Sequence, residues 1–129
     1  MTKTIDPKKA SGYITKAENS LLMAKIGLER DAYDNAVMSS VHSAINALDA
    51  LTTSYMGKRS SGEHRDVLSL IKGILTQEEH NITSKQFSTL LGMKNESEYQ
   101  PTLMSQKDAE NAIRWAERIL KTVKSKLKL

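Results

Sequence analysis

DAYDNAVMSSVHSAINALDALTTSY, from Asp31 to Tyr55, is the stretch that decides the fold. Tyr33, Val37, Val41, Ala44, Ile45, Leu48 and Leu51 recur at intervals of three and four, the repeat of one helix face. Gly57 stands just beyond, where a helix ends most readily. The longest uncharged stretch of the chain, Asn35 to Leu48, lies inside, with His42 within it. It is too short to cross a bilayer. The spacing therefore predicts a helix of a water-soluble core.

The same repeat continues on both sides. Ile14, Ala17, Leu21, Ala24 and Leu28 predict a first helix from Pro7 or Lys8 to Arg30, with Asp6 as its N-cap and Pro7 at its first position. A third helix is expected from about Ser61 to Leu75, with Val67, Leu68, Ile71, Ile74 and Leu75 inward and Ser60 and Glu63 as a capping-box pair. A short fourth helix is expected over Ser84 to Leu91, then a loop from Gly92 to Met104 holding Tyr99 and Pro101. The last helix runs from about Gln106 to Leu127, capped by Ser105 with Asp108 three residues on. Its stripe is Ala109, Ala112, Ile113, Ala116, Ile119, Leu120, Val123 and Leu127. No Val/Ile/Thr run alternates as a strand would. The expectation is an all-α fold: one domain over 1–129, an up-and-down bundle of four to five antiparallel helices. Alanines on the second and last helices permit close approach, and the broad stripes call for an extra core face or a dimer contact.

Composition agrees. Of 129 residues 39% are hydrophobic and 26% charged, with a mean hydropathy of -0.46, the balance of a globular chain rather than a disordered or membrane one. There is no cysteine. That excludes a disulfide scaffold, a thiol nucleophile and a cysteine zinc site, and suits the reducing cytoplasm. MTKTIDPKK at the N-terminus has no apolar run behind its basic start and does not read as a secretory signal. The net charge is +4, and from Arg114 onward six basic residues face one acid, Glu117. Two readings of that basic end stand: cations suited to a helix C-terminus, or a surface that meets phosphate.

The most specific local feature is GKRSSGEH, Gly57 to His64. Arg59 lies in the joint, and His64 falls in the expected first turn of the third helix, where the dipole disfavours a positive imidazole. Arg59 is a permanent planar cation suited to a phosphate or its transition state. A base beside a phosphate clamp is the minimal kit for attack by an RNA 2′-hydroxyl on its own phosphodiester. The plainer alternative is that His64 caps or packs and Arg59 is solvated. On the second helix Ser39, His42, Asn46, Asp49 and Thr53 form a polar line. His42 and Asp49, two turns apart, read as an orienting pair or proton relay, or more plainly as a solvated face or a buried polar contact. His80, in QEEHN, is expected in an exposed connection. Met23 and Met38 read as core or rim filling, Tyr99 and Trp115 as packing residues. The three histidines lack metal-ligand spacing, and no HExxH, Gly-rich phosphate cradle or nucleophile elbow is present. No metal and no cofactor are expected.

HSAINALDA (His42–Ala50), then GKRSSGEH, then DVLSLI, then KNESEY (Lys94–Tyr99) and SQKDAENAIRWAERIL (Ser105–Leu120) together resemble the HEPN domain (higher eukaryotes and prokaryotes nucleotide-binding). The resemblance runs from about Tyr13 to Val123 and is closest to small stand-alone prokaryotic members. It implies a four- to five-helix bundle, commonly a homodimer. It also implies a metal-independent endoribonuclease in a toxin–antitoxin, defence or RNA-processing setting, with an antitoxin or nucleotidyltransferase as possible partner. The family's Arg-x4–6-His signature falls on Arg59 and His64. Carried over, His64 is the general base or acid and Arg59 holds the scissile phosphate. Ser60 takes the polar position after the arginine, and His42 and Asp49 support by proximity. Members paired with minimal nucleotidyltransferases carry an Arg-Asn…His-x-Tyr run late in the chain; nothing like it follows Met93 here. Lys94 stands where relatives often have Arg, and the motif loop holds Gly62. The alternative function is a non-catalytic HEPN module that binds a nucleotide or a partner protein.

Overall fold

The computed structural model describes residues 2–61 and 63–129. Four long helices dominate: α1 (Ala10–Glu29), α2 (Tyr33–Met56), α4 (Gln77–Tyr99) and α5 (Gln106–Lys126), with a short α3 (Val67–Ile71) between α2 and α4. Helix α2 is the centre of the bundle and packs against α1, α3, α4 and α5. Val37, Val41, Ala44, Leu48 and Leu51 of the stripe are buried, with Tyr33 and Ile45 partly buried against them, together with Ile14 and Ala17 of α1 and Ile119 and Val123 of α5. Small residues let α1 and α2 approach closely. A Cβ on Gly27 would lie 3.2 Å from the Ala36 backbone nitrogen. Ser43, fully buried on α2, donates its hydroxyl to the Ala17 carbonyl at 2.7 Å. The all-α bundle is therefore as expected, with α1, α2 and α5 ending within a few residues of their predicted limits.

Several local expectations are corrected. The third helix does not run from Ser61 to Leu75. Its start is a single 3-10 turn, His64–Asp66, before the five residues of α3. Ser60 and Glu63 make no capping box: Glu63 accepts from the Arg65 amide at 3.2 Å, and Ser60 lies in a strand. That strand, β2 (Lys58–Ser60), pairs antiparallel with β1 (Thr2–Thr4) in the register Thr2↔Ser60, Lys3↔Arg59, Thr4↔Lys58. Neither segment has an apolar alternation, because backbone bonds between three-residue edges need none. Gly62 lies outside the described residues.

The fourth helix is far longer than Ser84 to Leu91. It starts at a capping box, where Thr76 accepts from the Glu79 amide and Glu79 accepts from the Thr76 amide. It continues through the expected loop to Tyr99, its outer face so polar that apolar spacing understates it. His80 is accordingly on a helix and half-buried, its Nε2 donating to the Leu68 carbonyl at 3.0 Å. Tyr99 does not pack: it is 75% exposed at the helix end, whereas Trp115 lies against the core. Ser105 and Asp108 form the capping box of α5. No described helix is long and apolar enough to cross a membrane.

Candidate active site

The joint after α2 builds the site. Gly57 takes a left-handed conformation (φ 62°) and donates to the Thr53 carbonyl at 3.1 Å, closing the helix. A side chain there would be strained by that φ and would press on the Ile5 carbonyl, 3.2 Å from an added Cβ. The chain then enters β2, held from outside by β1 and by the Ile5 amide on the Gly57 carbonyl at 2.8 Å. An extended strand sends neighbouring side chains to opposite faces. Ser60 goes inward and is buried; Arg59 goes outward and is half-buried.

Asp49 is the inner anchor. It is 6% exposed on α2, and its Oδ1 accepts from both the Ser60 amide at 3.1 Å and the Ser60 hydroxyl at 3.0 Å. Burial pushes the Asp49 carboxyl up from its ordinary range. The two bonds from Ser60 oppose that rise, as do the nearby charges of His64 and Arg59. Asp49 thus stands within electrostatic reach of both members of the Arg-x4-His pair. Arg59 donates from a terminal guanidinium nitrogen to the Ser60 carbonyl at 3.0 Å, which fixes its direction along the strand. His64 opens the 3-10 turn and is half-buried. Its Nδ1 is buried and has no hydrogen-bond partner among the described residues. That leaves Nε2 as the ring nitrogen able to meet a substrate.

The structure therefore brings Arg59, Ser60, His64 and Asp49 into one cluster. His42 is not part of it. It is exposed two turns earlier on α2, beside a separate shallow groove of about 310 Å³ that includes Met23, Met38 and Ser39. The His42–Asp49 pairing is not formed, because Asp49 turns inward to Ser60 while His42 faces solvent. The dipole argument for His64 also loses most of its force, since five residues of α3 carry little aligned dipole.

Sequence reading passed over one neighbour of the site. Arg59 forms a wall of a groove of about 540 Å³ whose other walls include Ile5, Lys9, Ser11, Tyr13 and Lys16. No lone feature of the sequence singles out Lys9 or Lys16, since outward lysines are ordinary on an amphipathic helix.

The profile of the HEPN domain family matches residues 10–126. The structure is similar to the crystal structure of TT1696 from Thermus thermophilus, at 20% identity and a TM-score of 0.76, covering 92% of this chain and 98% of that one. That likeness concerns the fold. A comparison with curated proteins found no match.

Proposed function

The chain belongs to the HEPN domain family, and from that premise we propose that it is a metal-independent endoribonuclease working as a homodimer in a prokaryotic cytoplasm. The observation that carries the reading is the cluster itself. A guanidinium and an imidazole are held near one buried carboxylate by a strand and a tight turn. His64 Nε2 takes the proton of a ribose 2′-hydroxyl. The 2′-oxygen then bonds to phosphorus and the bond from phosphorus to the 5′-oxygen breaks, leaving a 2′,3′-cyclic phosphate and a 5′-hydroxyl. The leaving oxygen is protonated by the second His64 of the dimer or by water. Arg59 stabilises the charge that builds on the phosphoryl oxygens. Asp49 and Ser60 position the strand that carries Arg59. A toxin–antitoxin or defence setting, with an antitoxin or nucleotidyltransferase partner, belongs to the same reading.

The test is cleavage of synthetic RNA in EDTA by wild type, Arg59→Ala and His64→Ala, with helical circular dichroism and melting recorded alongside. Cutting in the wild type alone, abolished by a 2′-deoxy substitution at the cut, supports the assignment. Undiminished cutting by either variant refutes it.

One observation favours the second reading, a non-catalytic binding module. Leu22, Met23 and Ile26 form an exposed apolar strip on α1, 38–57% accessible, that a partner protein would cover. An absence of cleavage, with co-purification of a partner lost on Met23→Asp, would establish that module instead.

A further inference from the structure

We infer that the groove between the start of α1 and β2 is the track for the phosphodiester backbone of single-stranded RNA flanking the cut. This rests on the nuclease reading of the neighbouring Arg59 and His64. Three cations wall the groove, Lys9, Lys16 and Arg59, and no carboxylate does. None of the three enters an ion pair among the described residues. Lys9 and Lys16 stand seven residues apart, about 10 Å along the helix axis, room for more than one phosphate. Arg59 belongs both to the groove and to the cluster around Asp49, so a strand held at the scissile phosphate continues into the groove without leaving positive potential. Tyr13 adds a half-buried ring to the wall, a surface on which a base or ribose can rest. The volume, about 540 Å³, suits a nucleotide-sized segment. An acidic peptide would share the charge but would not need a ring, nor continuity with a phosphate clamp.

Gly12 provides a clean probe. It lies in the groove wall, and a Cβ there meets nothing within 4 Å, so a longer side chain enters open space. Gly12→Glu puts a negative charge in the track; Gly12→Gln puts in the same bulk without charge. Both are read in the non-cleaving His64→Ala background by fluorescence anisotropy with a single-stranded RNA 12-mer across a salt series. Gly12→Glu is expected to bind about tenfold more weakly than Gly12→Gln. The double variant Lys9→Gln/Lys16→Gln is expected to flatten the slope of log affinity against log salt by about 1.4, two single-strand contacts' worth. With cleaving protein, the double variant is expected to raise KM on the 12-mer about tenfold.

Equal binding by Gly12→Glu and Gly12→Gln, or an unaltered salt slope in the double variant, overturns the track. So does competition by polyglutamate equal to that by RNA, which would assign the groove to any polyanion. Failure of the wild type to cut any RNA overturns the nuclease reading, while the anisotropy results still decide the groove.

Discussion

Positive charge gathers in two places at one end of the bundle, and the two differ in what neutralises it. At the end of α5, Lys124 meets Glu18 of α1 at 3.3 Å and Lys126 meets Glu79 of α4 at 2.9 Å. Two turns before Lys124, Glu117 meets Lys25 at 3.2 Å. The Tyr55 hydroxyl donates to the Lys126 carbonyl at 2.9 Å and ties this end to α2. At the start of α1, Lys9, Lys16 and Arg59 have no such partners among the described residues and share a groove. In the sequence the α5 segment is the denser in cations. In the fold acids of α1 and α4 pair two of its cations, Lys124 and Lys126, which also suit the helix C-terminus. Charge density along a chain therefore overstates the free charge at the end of α5, because acids from other helices pair two of its lysines.

The comparison breaks most visibly at Arg59 and His64. Arg59→Ala and His64→Ala are each expected to lower RNA cleavage by about 10²- to 10⁴-fold while leaving helical content unchanged. A loss of comparable size from Lys124→Gln/Lys126→Gln, the paired lysines of α5, would reverse the assignment of the two regions. The expected change there is within about twofold in RNA affinity, measured by the same anisotropy titration.

Asp49 is the acid beneath the unpaired region, and its effect is on stability. Asp49→Ala strands the buried Ser60 amide and hydroxyl and is expected to cost about 2 kcal/mol in urea unfolding. Asp49→Asn keeps an acceptor for both. The raised carboxyl of the folded state makes the sign definite. Asp49 stabilises the fold most when protonated, below the ordinary carboxylate range, and that contribution is lost as pH rises through its folded value. At pH 7 Asp49→Asn is expected to melt at or above wild type, and the gap is expected to shift in favour of wild type as pH falls to about 4. An Asn variant as unstable as the Ala variant at pH 7 would show that the charge itself holds the joint.

The smallest effect belongs to the paired region. Lys126 and the Thr76 amide hold the Glu79 carboxyl below its usual range. Its contribution is present above the ordinary glutamate range and lost as pH falls through the lowered value. Glu79→Gln is expected to lower the melting temperature at pH 7 by no more than about 2 °C, less in high salt, and not at all in strong acid.

Legibility differs along the chain for reasons that particular residues show. The α5 limits were readable because Ser105 and Asp108 are three residues apart and the apolar repeat never lapses. Helix α4 is legible only in part because its buried side chains, Thr83, Phe87, Leu90 and Leu91, lie in its middle and its ends are mostly polar. Arg59 and His64 were visible as a spacing, but His42 was joined to Asp49 on the strength of a shared helix face. The real partner of Asp49 is Ser60, eleven residues on and across a turn.

By itself, then, the sequence determined α1, α2 and α5, their apolar stripes and the residue types able to handle a phosphate, because these depend on a local period and on side-chain chemistry. Only the tertiary structure decided which of those residues work together. It paired Thr2–Thr4 with Lys58–Ser60, turned Asp49 in to Ser60, joined Lys124 and Lys126 of α5 to acids of other helices and left Lys9, Lys16 and Arg59 facing one groove. Pairing and free charge depend on distances between segments far apart in the chain, and no local pattern encodes those distances.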